Sequence, residues 1–120
     1  MKEIKFRALD FEDKFMTYFT FNDFDTDGMV KTKYGKFRPQ NEDEIMLCTG
    51  LKDKNGVEIY EGDICNDGEI GVVEYWDDFA EFQLVGKNAL KTQFYNHPLW
   101  TNKKNLEVIG NIYQNPELMV

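Results

Sequence analysis

Between Thr49 and Asp63 the chain carries three turn signals in succession: Thr49-Gly50-Leu51, Asn55-Gly56 and Glu61-Gly62-Asp63. Asparagine and glycine both accept positive φ, so Asn55-Gly56, lying between Leu51 to Lys54 and Val57 to Tyr60, predicts a tight two-residue hairpin turn. A chain forced to double back this often forms short strands joined by tight turns, as a small barrel requires.

The remaining sequence repeats the theme. Short runs rich in Phe, Tyr, Val and Ile alternate with Gly, Asn and Asp, which is the strand signal. Ile4 to Leu9 alternates as a strand, Asp10 to Lys14 supplies a charged turn, and Phe15 to Phe21 pairs back as a hairpin. Asp23 to Gly28 reads as an acidic turn. The basic stretch Lys31, Lys33, Lys36 and Arg38, closed by Pro39, fits a weak edge strand or a loop. Ile45 to Thr49 is the next strand, with Gly50 marking a change of direction. Ile64 to Asn66, Glu69 to Trp76, Phe79 to Val85 and Leu106 to Tyr113 complete the strand set, while Ala89 to Tyr95 fits either a strand or a short helix. Asn115-Pro116-Glu117-Leu118 has the cap, proline and acid of one short helical turn. The expectation is a mainly β single domain over residues 1–120, with an N-terminal hairpin extension at 1–41 and a β unit at 42–120; the change falls in the polar stretch Tyr34 to Glu44.

Composition excludes several classes. Ten Phe, six Tyr and two Trp within a 42% hydrophobic chain are enough to fill a core, which excludes intrinsic disorder. Lys and Arg number 14 against 22 Asp and Glu, and the resulting charge of −8 disfavours phosphate backbones and anionic membranes. No apolar run approaches a membrane span, and Met1-Lys2-Glu3 is charged where a signal peptide would be apolar, so a cytoplasmic protein is expected. Cys48 and Cys65 form no zinc cassette. They sit at the edges of apolar runs, where thiols act as small buried hydrophobes, with a redox pair as the alternative.

Catalytic sets are sparse. The chain has one histidine, His97, held extended before Pro98, and no serine. Asp23, Asp25 and Asp27 with Gly28 reproduce the first half of a calcium loop. Tyr34 stands where the closing glutamate belongs, so they read as a weak divalent-ion site or a solvated turn, with Lys31 or Lys33 as counter-charge. Gly68-Glu69-Ile70-Gly71 marks close packing or a bend in place of a phosphate loop. No enzymatic activity and no cofactor are expected.

Three blocks are familiar together: Lys5-Phe6-Arg7-Ala8-Leu9-Asp10; Thr49-Gly50-Leu51-Lys52-Asp53-Lys54-Asn55-Gly56 running into Glu58-Ile59-Tyr60-Glu61-Gly62-Asp63-Ile64; and Glu107-Val108-Ile109-Gly110-Asn111-Ile112-Tyr113 with Asn115-Pro116-Glu117-Leu118. They resemble the YopX family of phage and prophage proteins. Leu9 stands where that family usually has an aromatic, and Cys48 and Cys65 where it usually has an aliphatic or aromatic residue. The resemblance implies a small SH3-like β-barrel encoded by phages or prophages of Gram-positive bacteria, with no established activity.

The residues and the resemblance together suggest a phage accessory protein of the host cytoplasm that binds a host or phage protein or assembles with itself. Tyr60, Glu61 and Asp63 at a barrel mouth, with the aromatics Tyr75, Trp76 and Trp100, are the candidate contact surface. The alternative is a nucleic-acid-binding SH3-like barrel using Lys31, Lys33, Lys36, Arg38, Lys103 and Lys104, which Asp77 and Asp78 beside Trp76 disfavour.

Overall fold

The structure, a computed structural model, describes residues 4–10, 15–32, 35–37, 45–78, 80–86, 96–98 and 105–119. The chain forms two units, Met1–Cys48 and Thr49–Val120. The division falls inside a strand, whereas the sequence places the change before Glu42.

In the first unit, β1 (Lys5–Asp10) and β2 (Phe15–Thr20) form the expected antiparallel hairpin, in unbroken register from Lys5 opposite Thr20 to Asp10 opposite Phe15. The 3-10 turn Phe21–Asp23 leads to a second hairpin, β3 (Val30–Thr32) with β4 (Gly35–Phe37), which places Lys31 and Lys36 of the basic stretch on strands. The start of β5 (Ile45–Lys52) pairs with β1 on the side away from β2, so that Phe6 faces Leu47 and Ala8 faces Ile45. Ala8, Phe19 and Val30 form a core against Phe6, Phe24 and Ile45. The N-terminal part is therefore more than a hairpin extension, because its alternating aromatics close a core of their own.

In the second unit, β7 (Asp63–Asn66), β8 (Ile70–Trp76), β9 (Glu81–Gly86), β10 (Asn96–Pro98) and β11 (Glu107–Asn111) make a five-stranded sheet in the order β10-β9-β8-β7-β11. The end of β5 neighbours β6 (Glu58–Tyr60). The resolved pairings are antiparallel. Proline lacks the donor a central strand needs, and Pro98 accordingly lies in β10 at the sheet edge. Ile59, Cys65, Val73, Leu84 and Leu106 form the core, packed by Leu51, Phe82 and Val108. Cys65 thus behaves as the small buried hydrophobe expected, and Cys48 is half-buried; neither forms a disulfide. The chain ends in the expected short turn, the 3-10 segment Pro116–Met119. The protein is mainly β, and no described helix is long and apolar enough to cross a membrane. Ala89 to Tyr95 lies outside the described residues.

Two turns differ from expectation. Gly50 does not end its strand: β5 continues through it, and the positive φ of 83° makes a local kink. At Asn55-Gly56 only the glycine is left-handed, with φ 83°. Asp53 N donates to Val57 O at 2.8 Å and Gly56 N to Asp53 O at 3.0 Å, a three-residue loop with glycine at the bulge in place of the two-residue turn.

Gly71 is the close-packing glycine that its sequence context suggests. A methyl group there would sit 2.8 Å from Val85 O and 2.9 Å from Leu84 Cγ. Gly71→Ala should therefore cost about 1–3 kcal/mol through overpacking, read as earlier thermal melting with an unchanged far-UV circular dichroism spectrum; an unaltered melt would show that β8 and β9 separate freely at this point.

Candidate functional site

The first unit carries a phenylalanine-walled pocket, built from strand alternation and one cap. Opposed residues in β1 and β2 place Phe6 beside Phe19. At the end of β2, Thr20 Oγ1 accepts from Asn22 N at 3.2 Å, while Asp23 Oδ2 accepts from Thr20 N at 2.7 Å. These reciprocal bonds form a capping box that holds the Phe21–Asp23 turn. The turn swings Phe21 back over Phe6, edge to face with ring centres 4.9 Å apart, and Phe24 follows onto Phe19 at 5.4 Å. Phe6 and Phe19 stack at 5.7 Å. Together with Ile45 these rings line a partly open pocket of about 180 Å³. Phe21, at 64% exposure, stands at its mouth.

The adjacent acidic turn uses its carboxylates separately. Asp23 caps the 3-10 turn. Asp25 Oδ1 accepts from Asp27 N at 2.9 Å and from Met29 N at 3.0 Å, and Asp25 Oδ2 pairs with Lys36 Nζ at 2.9 Å. The Lys36 ammonium, helped by the backbone donors, holds the Asp25 pKa down at about 2. Lys36 is thus a counter-charge of this turn where the sequence suggested Lys31 or Lys33, and the β3–β4 register sets it across from Lys31. Among the described residues, no three metal-ligating side chains gather.

In the second unit the polar residues close turns. Asp53, only 6% exposed, accepts from Asn55 N at 2.8 Å and Val57 N at 2.9 Å through Oδ1, and from Val108 N at 2.9 Å through Oδ2. Burial alone would raise its pKa, but the three donors outweigh it and the carboxyl sits below its ordinary value. Asp63, also buried, accepts from Tyr60 N at 2.7 Å. Asn111 Oδ1 accepts from Tyr113 N at 3.1 Å and Gln114 N at 2.9 Å, and its Nδ2 donates to Gln114 Oε1 at 2.8 Å.

Among the described residues singled out from sequence, burial and strand face differ from one to the next. Tyr60 and Asp63 are buried inside the second unit, a correction to their placement at a barrel mouth: the Asp63 carboxylate closes the turn from within. Glu61 is half-buried. Tyr75 and Trp76 are neighbours on β8 and so point to opposite faces. Tyr75, 43% exposed, meets Phe82 edge to face at 5.2 Å and extends the face that buries Val73 and Leu84. Trp76 Nε1 donates to Glu74 Oε1 at 3.2 Å. Trp100, Lys33, Arg38, Lys103 and Lys104 lie outside the described residues. His97 lies in β10 opposite Leu84, extended as its place before proline suggests. Sequence reasoning missed the phenylalanine pocket. Its signal was the spacing of Phe6, Phe19, Phe21 and Phe24 about one capped turn.

A mainly β chain whose polar side chains close turns, with an aromatic pocket in its first unit, matches a known family along nearly its whole length. The family model described as YopX protein covers residues 5–120, and the chain belongs to that family. No curated protein matches it. Among solved structures it is similar to the crystal structure of protein EF1440 from Enterococcus faecalis, at 23% identity over 98% of each chain with a TM-score of 0.45.

Asp53→Asn replaces the oxygen facing Val108 N–H by an amide donor, and at neutral pH should cost the second unit about 1–3 kcal/mol in urea unfolding. A carboxyl with a depressed folded pKa stabilises fully above its ordinary value of 3.8 and loses that contribution as the pH falls through the folded value. The unaltered protein should therefore lose stability in acid more steeply than Asp53→Asn; equal acid slopes would exclude the Asp53 carboxylate as their source.

Proposed function

We propose that the protein is a non-enzymatic protein-binding module of phage or prophage origin, working in the host cytoplasm, whose first unit captures one apolar side chain of a protein partner. The observation that carries this reading is the pocket of Phe6, Phe19, Phe21, Phe24 and Ile45, about 180 Å³ in volume. Apolar cavities of about 150 Å³ accept a benzene ring, so this one suits a single Leu, Met or Phe side chain. Burying such a side chain contributes about 1.5–3 kcal/mol, which makes it an anchor within a larger contact.

The rest of the molecule supports the same reading. Asp25, Asp53 and Asp63 are engaged with backbone donors, and Asp25 additionally with Lys36, which suits scaffold roles better than acid-base chemistry. With Lys36 neutralised by Asp25 and a net charge of −8, a nucleic-acid partner is the weaker reading. The short antiparallel strands and tight turns of the second unit suit an SH3-like barrel, which would serve as the scaffold.

Selection of short random peptides on the immobilised protein tests the proposal. Enriched peptides should share an apolar anchor residue and lose at least about tenfold in affinity, 1.4 kcal/mol, on Phe21→Asp. Phe21 is exposed, so that variant should lose no more than about 1.5 kcal/mol of stability with its Phe6 contact. Absence of enrichment, or peptides held equally by the variant, would overturn the proposal.

A further inference from the structure

We infer that Asn55-Gly56 is a self-modification site that the folded turn holds closed: when the turn opens, the chain cyclises there, and the aspartyl and isoaspartyl products do not rebuild the joint with β11. The inference lies wholly in the second unit and is independent of the pocket. Of the ten asparagines, Asn55 alone precedes glycine. Glycine has no Cβ, so the Gly56 amide nitrogen reaches the preceding side-chain carbonyl without the crowding that slows other asparagine pairs. Both residues are exposed, and nothing lies within 4 Å of the place a Gly56 side chain would take, so water has access.

The reaction needs only water. Gly56 N attacks Asn55 Cγ, and the new N–Cγ bond closes a succinimide ring as the Cγ–Nδ2 bond breaks; the Gly56 proton leaves with Nδ2 as ammonia. Water then adds to one of the ring carbonyls and opens the imide. Cleavage of the bond from the nitrogen to Cγ leaves aspartate. Cleavage of the original peptide bond leaves isoaspartate, in which the main chain runs through Cγ and is longer by a backbone atom.

The folded turn opposes the first bond. Gly56 N donates to Asp53 O at 3.0 Å, which engages the proton that the attacking nitrogen must lose. Asn55 N donates to Asp53 Oδ1 at 2.8 Å and Asn55 Nδ2 to Glu107 Oε2 at 3.2 Å, so the amide under attack is tied to β11 while the attacking nitrogen is tied to Asp53. The Asp53 and Glu107 carboxylates also disfavour the anion which that nitrogen becomes; Lys54 Nζ, 3.9 Å from Glu107 Oε1, offsets part of this. The products lose the same contacts. Aspartate at position 55 has no Nδ2 donor and sets a carboxylate against Glu107. Isoaspartate lengthens the loop between Asp53 and Val57, and so pulls apart the amides gathered on Asp53, whose other oxygen holds Val108 N at 2.9 Å.

Peptide mapping by mass spectrometry, on the full chain aged at neutral pH with and without guanidinium chloride, tests the inference. Deamidation at Asn55 should run at least about tenfold slower in the folded chain than in denaturant, because it waits on local opening. Asp53→Asn removes the carboxylate that gathers the turn's amides and should speed the folded rate at least about fivefold while leaving the rate in denaturant unaltered, with circular dichroism confirming retained strands. A chain aged in denaturant and refolded should exchange its Lys54 and Val108 amides, the donors to Leu106 O and Asp53 Oδ2, faster than an unaged chain taken through the same refolding. Equal deamidation rates with and without denaturant, a folded rate unmoved by Asp53→Asn, or a deamidated chain whose Lys54 and Val108 amides remain as protected as before would overturn the inference. If Asp53→Asn does not fold, the first and third comparisons decide it.

Discussion

The second unit depends on one carboxylate. Asp53 collects three backbone N–H groups on two oxygens: Asn55 and Val57 within its own turn, and Val108 in a strand 55 residues further on. The first two fix the turn that reverses the chain between β5 and β6. The third draws in β11, so a local turn and a long loop closure share one acceptor. Neighbouring bonds run along the same seam: Lys54 N donates to Leu106 O at 2.9 Å, and Asn55 Nδ2 to Glu107 Oε2 at 3.2 Å. At the next turn Ile112 N donates to Gly62 O at 3.0 Å. The central and C-terminal blocks that carry the family resemblance are thus hydrogen-bonded to each other. Within these blocks Asp53, Asp63 and Asn111 spend their side-chain oxygens on backbone N–H groups.

The strands were legible because alternation is a property of the chain itself. Ile4 to Leu9 and Glu69 to Trp76 need only a period of two to be found, whereas His97-Pro98 reads as an extended loop and forms β10. What stayed hidden depends on partners distant in sequence or on competition between backbone and side chain. Asn55-Gly56 marks a turn unambiguously, but the Asp53 side chain takes the Asn55 and Val57 amides and selects a three-residue loop. Lys36 reaches Asp25 from β4, a pairing that composition does not encode. Tyr60 and Asp63 stand in a sequence that reads as a surface turn. Burial of Asp63 follows from its bond to Tyr60 N, visible only once β6 and β7 are placed. The phenylalanine pocket was hidden for a similar reason: Phe21 and Phe24 come onto Phe6 and Phe19 through the Thr20–Asp23 cap.

The two units divide their residues differently, and this bears on where binding belongs. In the second, Asp53, Asp63 and Asn111 are turned inward, and Tyr75 leans on Phe82 at the end of the core face. In the first, a core of Ala8, Phe19 and Val30 is small beside the aromatic surface around it, and Phe21 and Tyr18 remain more than half exposed. A side chain seated in the pocket as proposed would bind the folded first unit and not its unfolded chain, adding to its stability by mass action, about 2.7 kcal/mol at a hundredfold excess over Kd. Pocket occupancy and folding of the first unit would then be linked.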